Sequence, residues 1–383
     1  MSVTKTSEDF QVFVKPVGAA CNLACSYCYY LQKGALYPDE KSFRMSDDLL
    51  EIYILQHIQA SSAQTVFFSW HGGEPTMAGL DYFRRIAELQ KKHLPANREV
   101  LNGIQTNGTL LNEEWCRFLK MENFMVGISL DGPEKFHSSN RFRKDGKSSF
   151  DEVLRAFQLL KTYQIPCEIL CVVHSGNVRF PLEVYRFFKS SKVEFLTFIP
   201  VVERLSPESN QVSDRSVPAK SFGEFLCAIF DEWKISDIGT VKIQIFEEAL
   251  LTAFGPDHAL CIFKSVCGRV PVVEHNGDFY SCDHFVDSAH WVGNIRGNSL
   301  AELLESMGQK AFGQAKLDLL PEYCLKCDVR SMCNGACPKD RFIETPEGEP
   351  GLNYLCEGYK LFFNHCKPFV EEVAEAWGSN QSQ

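Results

Sequence analysis

Three cysteines, Cys21, Cys25 and Cys28, fall at CxxxCxxC spacing within eight residues. The apolar segment just before them, residues 10–14, reads as a strand, so the thiols sit in the loop that follows it. Three thiolates so spaced can hold a cubane iron–sulfur cluster and leave one iron without a protein ligand. An open coordination position makes a reactive metal, as it does in three-ligand zinc sites. Spacing alone also admits a zinc knuckle or a set of buried thiols.

The remaining composition narrows the setting. The chain carries 16 cysteines in 383 residues, and its first residues have no apolar signal core. The thiols therefore read as metal ligands in a reducing cytoplasm, not as a disulfide framework. A net charge of −10, from 39 basic and 49 acidic residues, argues against a general nucleic-acid partner. No apolar run reaches the roughly 18 residues of a membrane span, so no membrane partner is expected.

Strand patterns recur at 10–14, 65–70, 100–106, 124–130, 167–174 and 194–202, with amphipathic helical patterns between them. Ser46 is expected to cap the helix that follows it, Asn112 another, and Ser149 with Glu152 to form a capping box. Six strands alternating with helices predict an α/β fold with a parallel sheet, most simply a partial (β/α)6 TIM-like barrel. Its polar and glycine-rich stretches fall just after strands, where such folds place their sites. From residue 203 to 219 the chain is polar and aperiodic, a loop or linker. We expect a barrel over residues 1–235 and a cysteine-rich C-terminal domain over 236–383, with a disordered tail from Gly378.

Further motifs follow the strands. His71-Gly72-Gly73-Glu74-Pro75 comes one βα unit after the cysteine loop. Paired glycines let a backbone approach a ligand closely, and a carboxylate matches an ammonium. In the C-terminal part, Cys261, Cys267 and Cys282 bracket a hairpin whose Asn276-Gly277 pair signals a type I′ turn. Cys324, Cys327, Cys333, Cys337 and Cys356 follow, making eight thiols, enough for two four-thiolate clusters. Paired CxxC-type loops also bind zinc. Asp283, just after Cys282, is an acid beside a potential electron acceptor and could take a proton as an electron leaves. The plainer alternative is a turn-forming Asp bonded to its own backbone.

Taken together, CNLACSYCYY, GGEPT, QTNGTL, SLDGP, GDFYSCDH and GLNYLC resemble the anaerobic sulfatase-maturating enzymes, radical S-adenosylmethionine (SAM) proteins with a SPASM extension, over nearly the whole chain. The resemblance implies a radical cluster on Cys21, Cys25 and Cys28, with Tyr27 as the usual aromatic before the third cysteine and SAM chelated at the open iron. It implies that Gly72, Gly73 and Glu74 bind the SAM amino group. Ser129 and Arg141 would hold the carboxylate and ribose, the Gln105-Thr106-Asn107 stretch would line the site, and Leu196 would pack on the adenine. It also implies two auxiliary 4Fe–4S clusters with interleaved ligands, making three clusters in all. Cys261, Cys267, Cys282 and Cys337 would hold one, and Cys324, Cys327, Cys333 and Cys356 the other. Asp283 would be the general base, and Tyr30 would lie beside the substrate. His71, where some members have Gln, would contact substrate or SAM.

The implied reaction is oxidation of a Cys or Ser side chain in a sulfatase, within a CxPxR or SxPxR motif, to Cα-formylglycine. Its electrons would come from a donor such as flavodoxin or ferredoxin. A SPASM peptide maturase that crosslinks a ribosomal peptide shares every cysteine motif but usually carries an N-terminal recognition domain, for which few residues precede the first strand. A zinc-scaffolded binding protein or electron carrier would leave the GGEP motif unexplained.

Overall fold

The structure is a computed structural model and describes residues 5–38, 43–255 and 257–381. The chain forms two compact units. The first comprises residues up to Leu130, Ser138–Glu168 and Gly268–Gln314; the second comprises Asp131–His137, Ile169–Cys267 and the chain from Ala315 onward.

In the first unit the strands Phe13–Val14, Thr65–Trp70, Glu99–Thr106 and Phe124–Ser129 lie side by side and parallel. Helices Asp47–Ala60, Leu80–His93 and Glu113–Met121 connect or follow them. The strands are parallel because each returns through a helix, and their aromatic and branched side chains suit a sheet covered by those helices. Phe68 and Trp70 are fully buried with Tyr53 and Phe83 around them. Each such side chain contributes about 1.5–3 kcal/mol by leaving water. The strand expected at 10–14 has only Phe13–Val14 in regular pairing, although Gln11 already donates to the carbonyl of Arg269 at 2.9 Å.

That pairing brings distant sequence into the first unit. Phe13 and Val14 pair in parallel with Val272 and Val273, and the hairpin continues through Asp278–Tyr280 to Trp291–Asn294. The tip of the hairpin is not the expected type I′ turn. Only Gly277 has positive φ, at 91°, while Gly277 N–H donates to Glu274 and Glu274 N–H to Asp278. A type I turn followed by a left-handed glycine bulge has this form, and it places the one positive φ where glycine accepts it freely.

Two expected caps also differ. Ser149 occupies its N-cap position, but its hydroxyl donates to the carbonyl of Arg141 at 3.0 Å and Glu152 pairs with Arg143 at 2.6 Å, so no capping box forms. Ser46 stands at its N-cap without a side-chain cap bond. Asn112 does cap its helix, accepting from Trp115 N–H at 3.0 Å.

The second unit holds the strands Phe195–Pro200 and Lys242–Ile243, paired in parallel, and most of Cys167–Val173. Helices Ala219–Ser236 and Cys356–Gln381 pack at a glycine crossing: a Cβ on Gly358 would meet the Ala219 carbonyl oxygen at 2.1 Å. The latter helix runs through Gly378–Gln381, where a disordered tail was expected; Ser382 and Gln383 lie outside the described residues. A small hairpin, Arg341–Glu344 with Pro350–Asn353, closes the cysteine-rich part. No helix among the described residues is long and apolar enough to cross a membrane.

Candidate active site

The cysteine loop is pinned from both sides within the first unit. Ala24 and Ser26 donate backbone N–H groups to the carbonyls of Phe142 and Asn140, at 2.9 and 3.0 Å. These bonds bring buried Arg141 to the loop, its guanidinium 5.4 Å from the Tyr27 ring centre. From the other side Asn107, at the end of the third strand, donates to Asn22 Oδ1 at 2.9 Å and reaches Cys21 Sγ at 3.8 Å. Burial pushes the Cys21 thiol up to about 11, further raised by Glu74, Cys25 and Cys28 despite the Leu23 N–H bond. A thiol raised in this way needs a metal to become a thiolate. The donor set fits a three-thiolate cluster.

The glycine motif explains its own composition. His71, Gly73 and Glu74 donate their N–H groups to the carbonyls of Val14, Gly18 and Ala20, at 2.7, 2.7 and 2.8 Å. A Cβ on Gly73 would meet the Ala20 carbonyl oxygen at 2.1 Å, so no other residue fits there. Glu74 is fully buried and accepts from Thr76 N and Oγ1, Thr106 Oγ1 and Asn107 N, at 2.5–3.0 Å. Burial raises its carboxyl pKa in spite of these bonds. Glu74 thus ties the GGEP loop to the end of the third strand. Ser129, at the end of the fourth strand, accepts from Gln105 Nε2 at 3.2 Å. Leu196 is buried in the second unit.

The densest charge lies around Asp283. Lys15, buried where the first strand ends, has its ammonium 2.6 Å from Asp283 Oδ1 and 4.2 Å from the Tyr30 ring centre. The contact is an ion pair and not an aligned hydrogen bond. The Tyr29 hydroxyl donates to Asp283 Oδ2. Burial would raise the Asp283 carboxyl, but Lys15, His284 and Tyr29 outweigh it and hold it at about 2. Tyr29 is half exposed, with its hydroxyl turned to Asp283. Tyr30 is only 3% exposed, and its hydroxyl donates to buried Glu274. Burial and the neighbouring carboxylates push both phenols well above their usual value. His71 stacks on Phe13 at 4.0 Å between ring centres and shares a 2.9 Å hydrogen bond with Ser69. Burial, then Lys15, lowers its pKa to about 3, so the ring is neutral.

In the second unit Cys324, Cys327, Cys333 and Cys356 line one cavity with Arg330 and Lys360 at its edge. Burial, then the other three thiols, pushes Cys333 up to about 12. All four thiols of this proposed set thus border one cavity. Cys261, Cys267 and Cys337 gather around buried Lys316, whose ammonium donates to the carbonyls of Cys261 and Ile262 at 2.7 and 2.8 Å. Cys282 belongs to the first unit. Of the remaining cysteines, Cys116, Cys171 and Cys366 are buried and Cys167 and Cys227 half-buried.

The radical SAM superfamily model matches residues 16–187, and an iron–sulfur cluster-binding (SPASM) domain matches residues 265–328. The chain is 43% identical over 373 residues to the serine-type anaerobic sulfatase-maturating enzyme of Bacteroides thetaiotaomicron, covering 94% of this chain and 90% of that one. The chain belongs to the anaerobic sulfatase-maturating enzyme family. The cysteine-type enzyme of Clostridium perfringens is 34% identical, covering 95% of this chain and 98% of its own. Native anSMEcpe with bound AdoMet and the Kp18Cys peptide matches in structure with a TM-score of 0.86, at 34% identity, over 96% of this chain and all of that one. This likeness bears out the expected α/β architecture with its SPASM extension.

Within this anaerobic sulfatase-maturating enzyme, the first unit brings Cys21, Cys25, Cys28, Tyr27, the GGE loop, Ser129, Arg141, Tyr30, His71 and Asp283 into one body. Sequence reasoning missed Lys15, Tyr29 and Glu274. A lysine closing an apolar strand was the available signal for Lys15, since a cation there is buried only beside an anion. Nothing local marked Glu274, whose partner Tyr30 lies 244 residues away.

Proposed function

We propose that this chain oxidises a Ser or Cys side chain in a sulfatase polypeptide to Cα-formylglycine. The observation that carries the reading is Asp283: a buried carboxylate held ionised by Lys15, beside Cys282 and in the same unit as the three-thiol loop. Its relatives' names, serine-type and cysteine-type anaerobic sulfatase-maturating enzyme, support both substrates.

Cys21, Cys25 and Cys28 would hold the radical cluster. Cys261, Cys267, Cys282 and Cys337 would hold one auxiliary cluster, and Cys324, Cys327, Cys333 and Cys356 the other. When bound, the clusters and SAM supply one-electron chemistry: abstraction of a Cβ hydrogen atom and a sink for the second electron. The N–H groups of Gly73 and Glu74 are already committed to the chain. The GGE loop would therefore meet the SAM ammonium with acceptors. Ser129, Arg141, Tyr27 and Leu196 would hold its carboxylate, ribose and adenine.

The chain's own acid–base part is proton removal. Once the Cβ hydrogen is gone, the substrate hydroxyl or thiol is far more acidic, so a carboxylate of low pKa suffices as acceptor. Tyr29 already donates to Asp283 Oδ2, marking where the substrate X–H would dock. Tyr30 and neutral His71 would form the wall beside it. A division near residue 235, a cytoplasmic setting and a donor of the flavodoxin or ferredoxin type complete the reading; the gap between the matched regions at 187 and 265 supports the division.

The test is mass analysis of SxPxR and CxPxR peptides after anaerobic turnover with SAM and reductant. Formylglycine supports the reading. SAM cleavage without formylglycine, or a crosslink formed in a ribosomal peptide, overturns it in favour of a SPASM peptide maturase.

A further inference from the structure

Five residues, Cys333-Asn334-Gly335-Ala336-Cys337, join one proposed auxiliary ligand set to the other. The three between the cysteines are all left-handed, with φ of 46°, 70° and 49°. For Asn334 and Ala336 this conformation costs about 1–2 kcal/mol each, so something must hold it. Arg341 does. Its Nε donates to Gly335 O at 2.8 Å, one Nη to Asn334 O at 2.9 Å and to Ala336 O at 3.3 Å, and the other Nη to Lys316 O at 2.6 Å. A Cβ on Gly335 would lie 2.4 Å from Leu320 and 2.6 Å from that guanidinium, and its φ of 70° also favours glycine.

The same cation has no acid for company. Every hydrogen bond that Arg341 and Lys316 make among the described residues goes to a backbone carbonyl. The nearest acid in sequence, Asp340, is paired with Lys339 at 2.7 Å. Cations withdrawn from water need an anion. The groups at hand that would supply negative charge, once they are thiolates on a cluster, are cysteines of both sets: Cys324, Cys333, Cys337 and Cys267 act on Arg341, and Cys267, Cys261 and Cys337 on Lys316.

We propose that Arg341 and Lys316 form a cationic hub in the second unit that holds the linker between the two auxiliary ligand sets and raises the reduction potentials of the clusters they carry. The inference rests on the cluster assignment above. The physical reason is that reduction adds negative charge, which a fixed neighbouring cation stabilises, and cluster potentials follow local charge and hydrogen bonding. A higher potential suits clusters that accept an electron from an oxidised substrate.

The experiment is an EPR-monitored redox titration of the holoenzyme and of its Arg341→Gln, Arg341→Lys and Lys316→Met forms, with iron content measured alongside. Arg341→Gln and Lys316→Met should each move at least one auxiliary midpoint to lower potential. Arg341→Lys should stay near wild type, and the signal lost on substituting Cys21, Cys25 and Cys28 should not move. Wild-type potentials throughout in any charge-removing variant that retains its iron would overturn the hub. Loss of auxiliary iron from both Arg341→Gln and Lys316→Met would also overturn it, because the residues would then serve assembly alone. A wild-type protein with about four irons plus zinc, instead of about twelve at four per cubane, would instead defeat the cluster assignment itself.

Discussion

Lys15 Nζ lies 2.6 Å from Asp283 Oδ1, joining the end of the first strand to the residue after Cys282 across 268 positions of sequence (283 − 15). Both side chains are withdrawn from solvent. Removing one partner of such a pair leaves the other charge buried and uncompensated, at a cost of about 3–5 kcal/mol. Lys15→Met should therefore destabilise the protein by that order in denaturant titration. It should also lower formylglycine formed per SAM cleaved, because Asp283 is no longer held as a carboxylate. An unchanged product-to-cleavage ratio in folded Lys15→Met would remove Lys15 from the site.

Asp283→Asn keeps the shape and deletes the proton acceptor. SAM cleavage should persist while formylglycine falls about 100- to 10,000-fold, the usual range for a positioned base. Quantifying 5′-deoxyadenosine and product in one reaction checks it. Wild-type product yield would strip Asp283 of its role.

Tyr29→Phe and Tyr30→Phe should part company. The Tyr29 hydroxyl serves Asp283 and the residue is half exposed, so loss of that hydroxyl should reduce turnover with little change in stability. Tyr30→Phe leaves buried Glu274 short of a donor and should cost about 1–3 kcal/mol in unfolding free energy. Equal stability losses in the two variants would contradict the assignment.

Gly73→Ala should abolish SAM binding, since its Cβ would collide with the Ala20 carbonyl. The expected destabilisation is about 1–3 kcal/mol or more, the cost of overpacking. Gly308→Ala, where φ is not positive and a Cβ meets nothing within 4 Å, is the control and should bind SAM normally. Calorimetric titration of SAM into the two variants decides it.

The contribution of His258 to stability should fall as pH rises through neutrality. Burial would lower the pKa of His258, but Glu248 at 2.9 Å and the Ser331 carbonyl at 2.8 Å outweigh it, so its pKa is raised. A raised folded value means the charged pair stabilises fully below the unfolded value of about 6.5 and is lost above the folded one. The gap in denaturation midpoint between wild type and His258→Gln should be largest below about pH 6.5 and shrink as the pH rises above it.

Local chemistry made much of this legible. Cys21, Cys25 and Cys28, the glycines at 72 and 73, and the alternation of strand and helix patterns are short-range signals, and each marks a loop or element within a few residues. The parallel neighbours Thr65–Trp70, Glu99–Thr106 and Phe124–Ser129 followed from that alternation, since a parallel strand needs a helical return. Errors fell where a local rule met a distant competitor. Ser149 abandoned its cap for the Arg141 carbonyl, and the Asn276-Gly277 turn gave its one positive φ to the glycine bulge.

The cysteine spacing and the order of strands and glycines are therefore enough to mark a candidate three-thiolate centre, and the family resemblance that these motifs carry supplies its chemistry. Tertiary structure alone decided what surrounds the reacting group. Pairing of Phe13–Val14 with Val272–Val273 sets Lys15 against Asp283 and Tyr30 against Glu274, and within the second unit Arg341 holds the turn at 334–336. Such contacts join residues whose separation in sequence carries no periodic signal. Burial then fixes their charge, a property that no stretch of sequence possesses in isolation.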